Sequence, residues 1–266
     1  VLALVMGLLL VFRTNTAYDR FWEGRRLWGS LETQYRNLSR FIWVGVSVSD
    51  EMEHHEKRCA MNLLFAFMTS TKRYLRYEYG TQWSDVGPYI SHLPDFAGAG
   101  LEDVTDVDGA DGGALVTNLP LEISFHLSAF IRRARDRNQI DIPQQVNMSN
   151  ALASMVDIFS SFERIRDSPI PLAYSVHLKQ TLLIYIASLP FQLVNGIYWA
   201  TIPMMTFISF ALLGIEAIGG EIENPFGYDS NDLPLDVYCE TIHGEMMRVM
   251  DRPEKLDPAQ WGKPYE

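Results

Sequence analysis

The sequence predicts an all-α membrane protein, in which helices that cross a bilayer are joined to a helical part outside it. Two observations carry that prediction. Residues 180–215 contain no Asp, Glu, Lys or Arg, a run of 36 in a chain whose overall charged fraction is 21%. The chain also opens on VLALVMGLLLVF, apolar or glycine at every position from Val1 to Phe12. Composition removes other classes. Lys and Arg number 22 against 33 Asp and Glu, and a net charge of −11 gives no basic footprint for nucleic acid. An apolar fraction of 47% excludes a disordered polymer. The mean hydropathy is near zero only because very apolar stretches are diluted by charged ones.

About 20 apolar residues cross a bilayer, so 36 accommodate two crossings if the chain turns between them. Pro190 and the Asn195-Gly196 pair are the punctuation available. They place one span over 170–193 and a second over 197–218, with Tyr198 and Trp199 at the depth of an aromatic belt. Residues 1–20 read as the end of a membrane helix whose beginning precedes Val1. No basic region or small-residue cleavage site marks them as a signal peptide. A buried hairpin of a large soluble protein is the other reading of the 36-residue run.

From Phe12 onward the pattern is amphipathic. Phe21, Trp22, Leu27, Trp28, Leu31, Tyr35 and Leu38 recur at spacings near 3.6, the mark of a helix that leaves the membrane and continues as a packed rod. Asp19 and Glu23 are placed to pair along it with Arg20, Arg25 and Arg26. A second helix is expected over 51–79, completing a helical cytosolic region at 21–80. His54, His55 and Glu56 within it are a poor metal site, because adjacent positions on a helix point about 100° apart. Residues 81–118 hold seven carboxylates and no Lys or Arg, with no apolar periodicity, and are read as an acidic flexible insertion. Two further cytosolic helices, 121–137 and 144–166, fall within 119–169, and Pro143 suits the first turn of the second. Cys59 and Cys239 stand at no motif spacing and suggest no disulfide framework.

No phosphate loop, dinucleotide fingerprint or nucleophile elbow is present, and His126, His177 and His243 are isolated in sequence, so an enzyme is not expected. Two segments carry polar or apolar patterns that packing alone leaves unexplained. Leu4, Leu8 and Phe12 are four apart and drift slowly around a helix, so they form one apolar stripe. Around an axis of several copies, such a stripe would be a dewetting constriction; equally it would face lipid or a neighbouring helix. The second segment is GEIENPFGYDSNDLPLD, within an acidic stretch at 219–266. Its Glu221, Glu223, Asn224, Asp229, Asn231 and Asp232 are hard oxygen donors of the kind calcium takes, or the caps of an interfacial turn.

Three stretches, FRTNTAYDRFWEGRRLWG (12–29), IPLAYS (170–175) and ENPFGYDSNDLPLD (223–236), resemble the bestrophin family in its bacterial, fungal and chloroplast form. They occur in the family's order at the start, middle and end of the chain. The resemblance implies a homopentameric channel subunit with four membrane helices and a helical cytosolic region, Val1 lying inside the second membrane helix and the first span outside this sequence. It implies that Leu4, Leu8 and Phe12 form the pore neck, and that Ile140 forms the cytosolic aperture. It also implies a calcium clasp at Glu221, Asn224, Asp229 and Asp232, although the family's glutamine is Glu221 here and Ser230 and Asn231 interrupt the acidic run. The expected function is passive conduction of chloride across the lipid bilayer, with no cofactor required and calcium an optional ligand of the clasp. The alternatives are a sodium-conducting relative and a non-conducting membrane scaffold.

Overall fold

The computed structural model describes residues 2–96 and 118–252, and every regular element among them is helical. The long first helix, α1, runs Leu2–Arg40 and ends in a π-helical turn, Phe41–Gly45. Then come α2 (Glu51–Leu75), the short α3 (Gly87–Ile90), α4 (Leu119–Asp136), α5 (Ile142–Asp167), α6 (Leu172–Ile197), α7 (Thr201–Glu221) and α8 (Leu235–Met250).

The chain forms two compact units, each of discontinuous sequence. One comprises Val1–Leu27 and Phe162–Leu233; the other comprises Trp28–Ser161 and Pro234–Glu266. The divisions fall inside the segments expected from sequence, at 27/28 within 21–80, at 161/162 within 119–169, and at 233/234 within 219–266.

In the first unit, Leu172–Glu221 is the stretch among the described residues that is long and apolar enough to cross a membrane. It is two helices, as expected, but the turn is not where Asn195-Gly196 suggested. Pro190 and both of those residues lie inside α6. The reversal comes at Tyr198, whose φ is 47°, followed by a 3-10 turn at Tyr198–Ala200. A bilayer supplies no water to free backbone groups, so α6 keeps its hydrogen bonds for as long as it can. Its exposed side chains and those of α7 suit lipid: Ile184, Phe191, Ile202, Phe207 and Phe210 are all apolar. On the inner side, Met6 and Leu10 of α1 pack with Leu178 and Leu182 of α6.

The second unit is a conventional helical core. Trp28, Leu31, Tyr35 and Leu38 of α1 are buried as their periodicity required. Trp22, in the other unit, is instead about half exposed. Asp50 caps α2, accepting from the Glu53 N–H at 2.7 Å. The helix stops at Leu75 and not near 79, because Tyr77 takes a left-handed conformation (φ 60°). Asn118 caps α4 through the Leu121 N–H. Asp141 and Gln144 cap α5 reciprocally: the Gln144 N–H donates to Asp141 Oδ1 at 2.8 Å and the Asp141 N–H to Gln144 Oε1 at 3.0 Å.

Part of the expected flexible insertion is ordered. Val86, Ile90 and Phe96 are buried, and Asp85 forms ion pairs with Lys72 and Arg73. Its first stretch, 81–96, is therefore packed against α2. The remainder, 97–117, lies outside the described residues.

Candidate pore-lining face and acidic segment

In α1, burial alternates at spacings of four and three. Met6, Leu10, Arg13 and Ala17 are buried, while Leu4, Leu8 and Phe12 are 78%, 54% and 56% exposed. The proposed neck residues therefore share the face of α1 turned away from α6, and Val11 is exposed beside them. Among the described residues, that stripe stays uncovered by its own subunit.

Ile140 is placed differently from the expectation. It is 3% exposed and packed inside its own unit, and its carbonyl accepts from Arg135 Nη1 at 3.3 Å. A side chain buried within its subunit cannot project into an aperture. The aliphatic surface at the start of α5 comes from Ile142 and Val146, which are 60% and 49% exposed. Asp141 caps the helix, so the residue following it faces outward, a distinction that NQIDIP does not reveal by spacing.

After α7 the chain folds into a turn held by its own hydrogen bonds. Phe226 is fully buried and meets the Phe162 ring edge-on at 5.5 Å. Gly24 of α1 leaves room for Phe226 and Pro225, since a Cβ there would lie 3.1–3.2 Å from their side chains. Gly227 makes a closer approach, since a Cβ would stand 2.6 Å from Asp232 Oδ2 and would have to displace that carboxylate. That oxygen accepts from the Asp229 N–H at 2.8 Å, and the Asp232 N–H donates to the Asp229 carbonyl at 3.0 Å. Glu221 Oε2 accepts from Asn231 Nδ2 at 2.8 Å, and Asn224 Oδ1 accepts from the Phe226 N–H at 3.5 Å.

Among the described residues, no group of three or more His, Cys, Asp and Glu side chains stands close enough to hold a metal ion. Calcium takes six to eight oxygens, and here Glu221 and Asp232 already serve as acceptors for the turn. These bonds are what the capped-turn reading of the segment requires.

Arg20 anchors the turn from α1. Its guanidinium donates to three backbone carbonyls, those of Ser168 at 2.5 Å, Ile165 at 2.6 Å and Glu223 at 3.1 Å. It satisfies carbonyls at the end of α5 and after α7 together. Glu23 pairs with Arg164 at 2.7 Å. Sequence spacing assigned both residues to pairs along the rod, but these partners lie more than 140 positions away. A further ion pair, also unforeseen, joins Arg13 to Glu216 of α7 at 2.7 Å.

A membrane hairpin beside a long helix that presents one bare apolar stripe defines a class: a helical membrane protein with an uncovered apolar face. The family model described as Bacterial/Fungal Bestrophin protein matches residues 1–248, and the chain belongs to that family. It is 43% identical over 253 residues to the voltage-dependent anion channel-forming protein sll1024 of Synechocystis, covering 94% of this chain and 76% of the relative. It is also 43% identical to the corresponding Nostoc protein alr2987, over 96% of this chain and 76% of that one. Among solved structures, a single-site variant of a bacterial bestrophin homolog from Klebsiella pneumoniae superposes with a TM-score of 0.77 at 26% identity. The match covers 94% of this chain and 86% of that one. The protein is a membrane protein of a family of channels.

Proposed function

We propose that the chain is one subunit of a homopentameric anion channel, conducting chloride through a neck formed by Leu4, Leu8 and Phe12. The observation that carries this reading is the bare stripe on α1, whose opposite face is buried against α6. A closed ring of identical subunits gives such a stripe one common centre. Relatives named as anion channel-forming proteins support the permeant ion. A ring of apolar side chains resists wetting, so the neck sets how often the path is filled and leaves the ion partly hydrated. The edge of the Phe12 ring is the positive part of its quadrupole and suits a passing anion. Ile142 takes the aperture role in place of Ile140, because its side chain is the one presented outward.

Substituting Phe12→Ala removes the largest ring member and lowers the cost of wetting. Chloride conductance of the full-length protein in liposomes is expected to rise. Unchanged conductance in the Ala variants of all three neck residues would remove them from the pore.

A further inference from the structure

Buried charge is rare between membrane helices, and α1 carries it at a packing position. Met6, Leu10, Arg13 and Ala17 form the buried seam of its first turns, with Arg13 only 6% exposed. Its Nη1 meets Glu216 Oε1 at 2.7 Å, and Glu216 is itself 8% exposed. The guanidinium runs along two glycines of α7. A Cβ at Gly220 would lie 3.5 Å from Nη2, and one at Gly219 would lie 3.9 Å from Cγ and Nε. Lys179 of α6, largely exposed, reaches the same Glu216 oxygen at 3.8 Å.

The remainder of the seam discriminates poorly between positions of α1. Lipid tails are as apolar as leucine, so turning or sliding an apolar helix within the bilayer exchanges one greasy contact for another. Met6 adapts to irregular gaps, and Ala17 fills little space. An ion pair differs in kind, because moving it by one turn leaves two charges buried apart. A single polar residue at a seam position is a well-attested way to fix helix register. We infer that the Arg13–Glu216 pair sets the rotation and height of α1, and thereby aims its apolar stripe. Phe12 is the residue before Arg13, about 100° around the helix from it. Leu8 and Leu4 follow at one-turn intervals, so a locked Arg13 directs all three. Arg13 and Glu216 are positioning residues; the claim that the aimed stripe lines a pore rests on the reading above.

The test reads orientation without using current. In full-length protein with its native cysteines replaced, Thr16→Cys probes the exposed face one turn beyond Phe12, and Leu10→Cys probes the buried seam. Both are reconstituted in liposomes and treated with a water-soluble methanethiosulfonate. With the pair intact, the thiol introduced at position 16 is expected to react much faster than the one at position 10. Glu216→Gln is expected to lower that ratio by about tenfold or more, since breaking a buried pair outweighs the apolar contacts holding the helix. Where that variant fails to assemble, Arg13→Met with Glu216→Met decides, because it retains apolar bulk and removes both charges. A lowered ratio in the assembled double variant supports the inference. A parental ratio in it overturns the inference and assigns orientation to apolar packing. If the Ala variants of Leu4, Leu8 and Phe12 all leave conductance unchanged while these ratios shift, the pore reading fails and the register assignment stands.

Discussion

The two units bury charge in opposite ways. In the membrane unit, Arg13 and Glu216 form a single close pair. In the other unit, Lys72 is 3% exposed and lies between Asp85 at 2.5 Å and Asp236 at 2.8 Å. Each carboxylate has a second cation, Arg73 for Asp85 and Arg76 for Asp236, and Arg73 also holds Glu78 at 2.6 Å. Burial alone would lower the Lys72 ammonium, but hydrogen bonds to Asp236 and Asp85 hold it above its ordinary value. Asp236 is displaced in the complementary sense: burial works to raise it, and the bonds from Lys72 and Arg76 bring it to about 2. Nearby Cys239 is pushed up to about 12, chiefly by burial, so it stays a neutral thiol packed in the core. A network distributes the loss of one member, whereas Arg13 meets one carboxylate, Glu216, so losing it is transmitted to the helix it positions.

Substitutions in the network measure that redundancy. Lys72→Met removes the one cation common to both carboxylates. It is expected to destabilise by about 2 kcal/mol, a fall of about 4–8 °C in the melting temperature in detergent. Asp236→Asn leaves Lys72 with Asp85, and a cost under about 1 kcal/mol is expected because Asp236 is half exposed. Equal losses for the two variants would mean that the groups do not act as a network.

The smallest effect is a pH dependence. Asp236 has a folded-state value of about 2 against an ordinary 3.8, so its stabilisation is fully present above 3.8 and is lost as pH falls through about 2. The gap in melting temperature between the parent and Asp236→Asn is expected to hold constant at neutral pH and to narrow only below about pH 4. A gap that closes already between about pH 7 and about 5 would assign the dependence to other groups.

Helix periodicity made most of the fold legible. The rod from Trp28 to Leu38, the two spans and the helix after Pro143 follow from spacing, because each helix buries one face whatever it packs against. Helix ends were less legible, since a left-handed Tyr77 or Tyr198 obeys no composition rule. The stripe at Leu4, Leu8 and Phe12 was visible as a pattern, but an all-apolar segment cannot say which face is covered. Met6 and Leu10 settle that only by packing on Leu178 and Leu182. The roles of Arg13 and Glu216 are illegible in the sequence because each sits just beyond an apolar run, where a charge usually marks the end of a span. Their pairing spans 203 positions. Ile140 and Ile142 differ by two residues, and the Asp141 cap decides which is presented outward.

Current through the full-length protein in a planar bilayer, recorded with unequal potassium chloride on the two sides, tests the channel reading most directly. The current is expected to reverse close to the equilibrium potential of chloride, in the parent and in Phe12→Ala alike, with larger conductance in the variant. Reversal close to the potassium potential, or no current from correctly assembled protein, would contradict that reading.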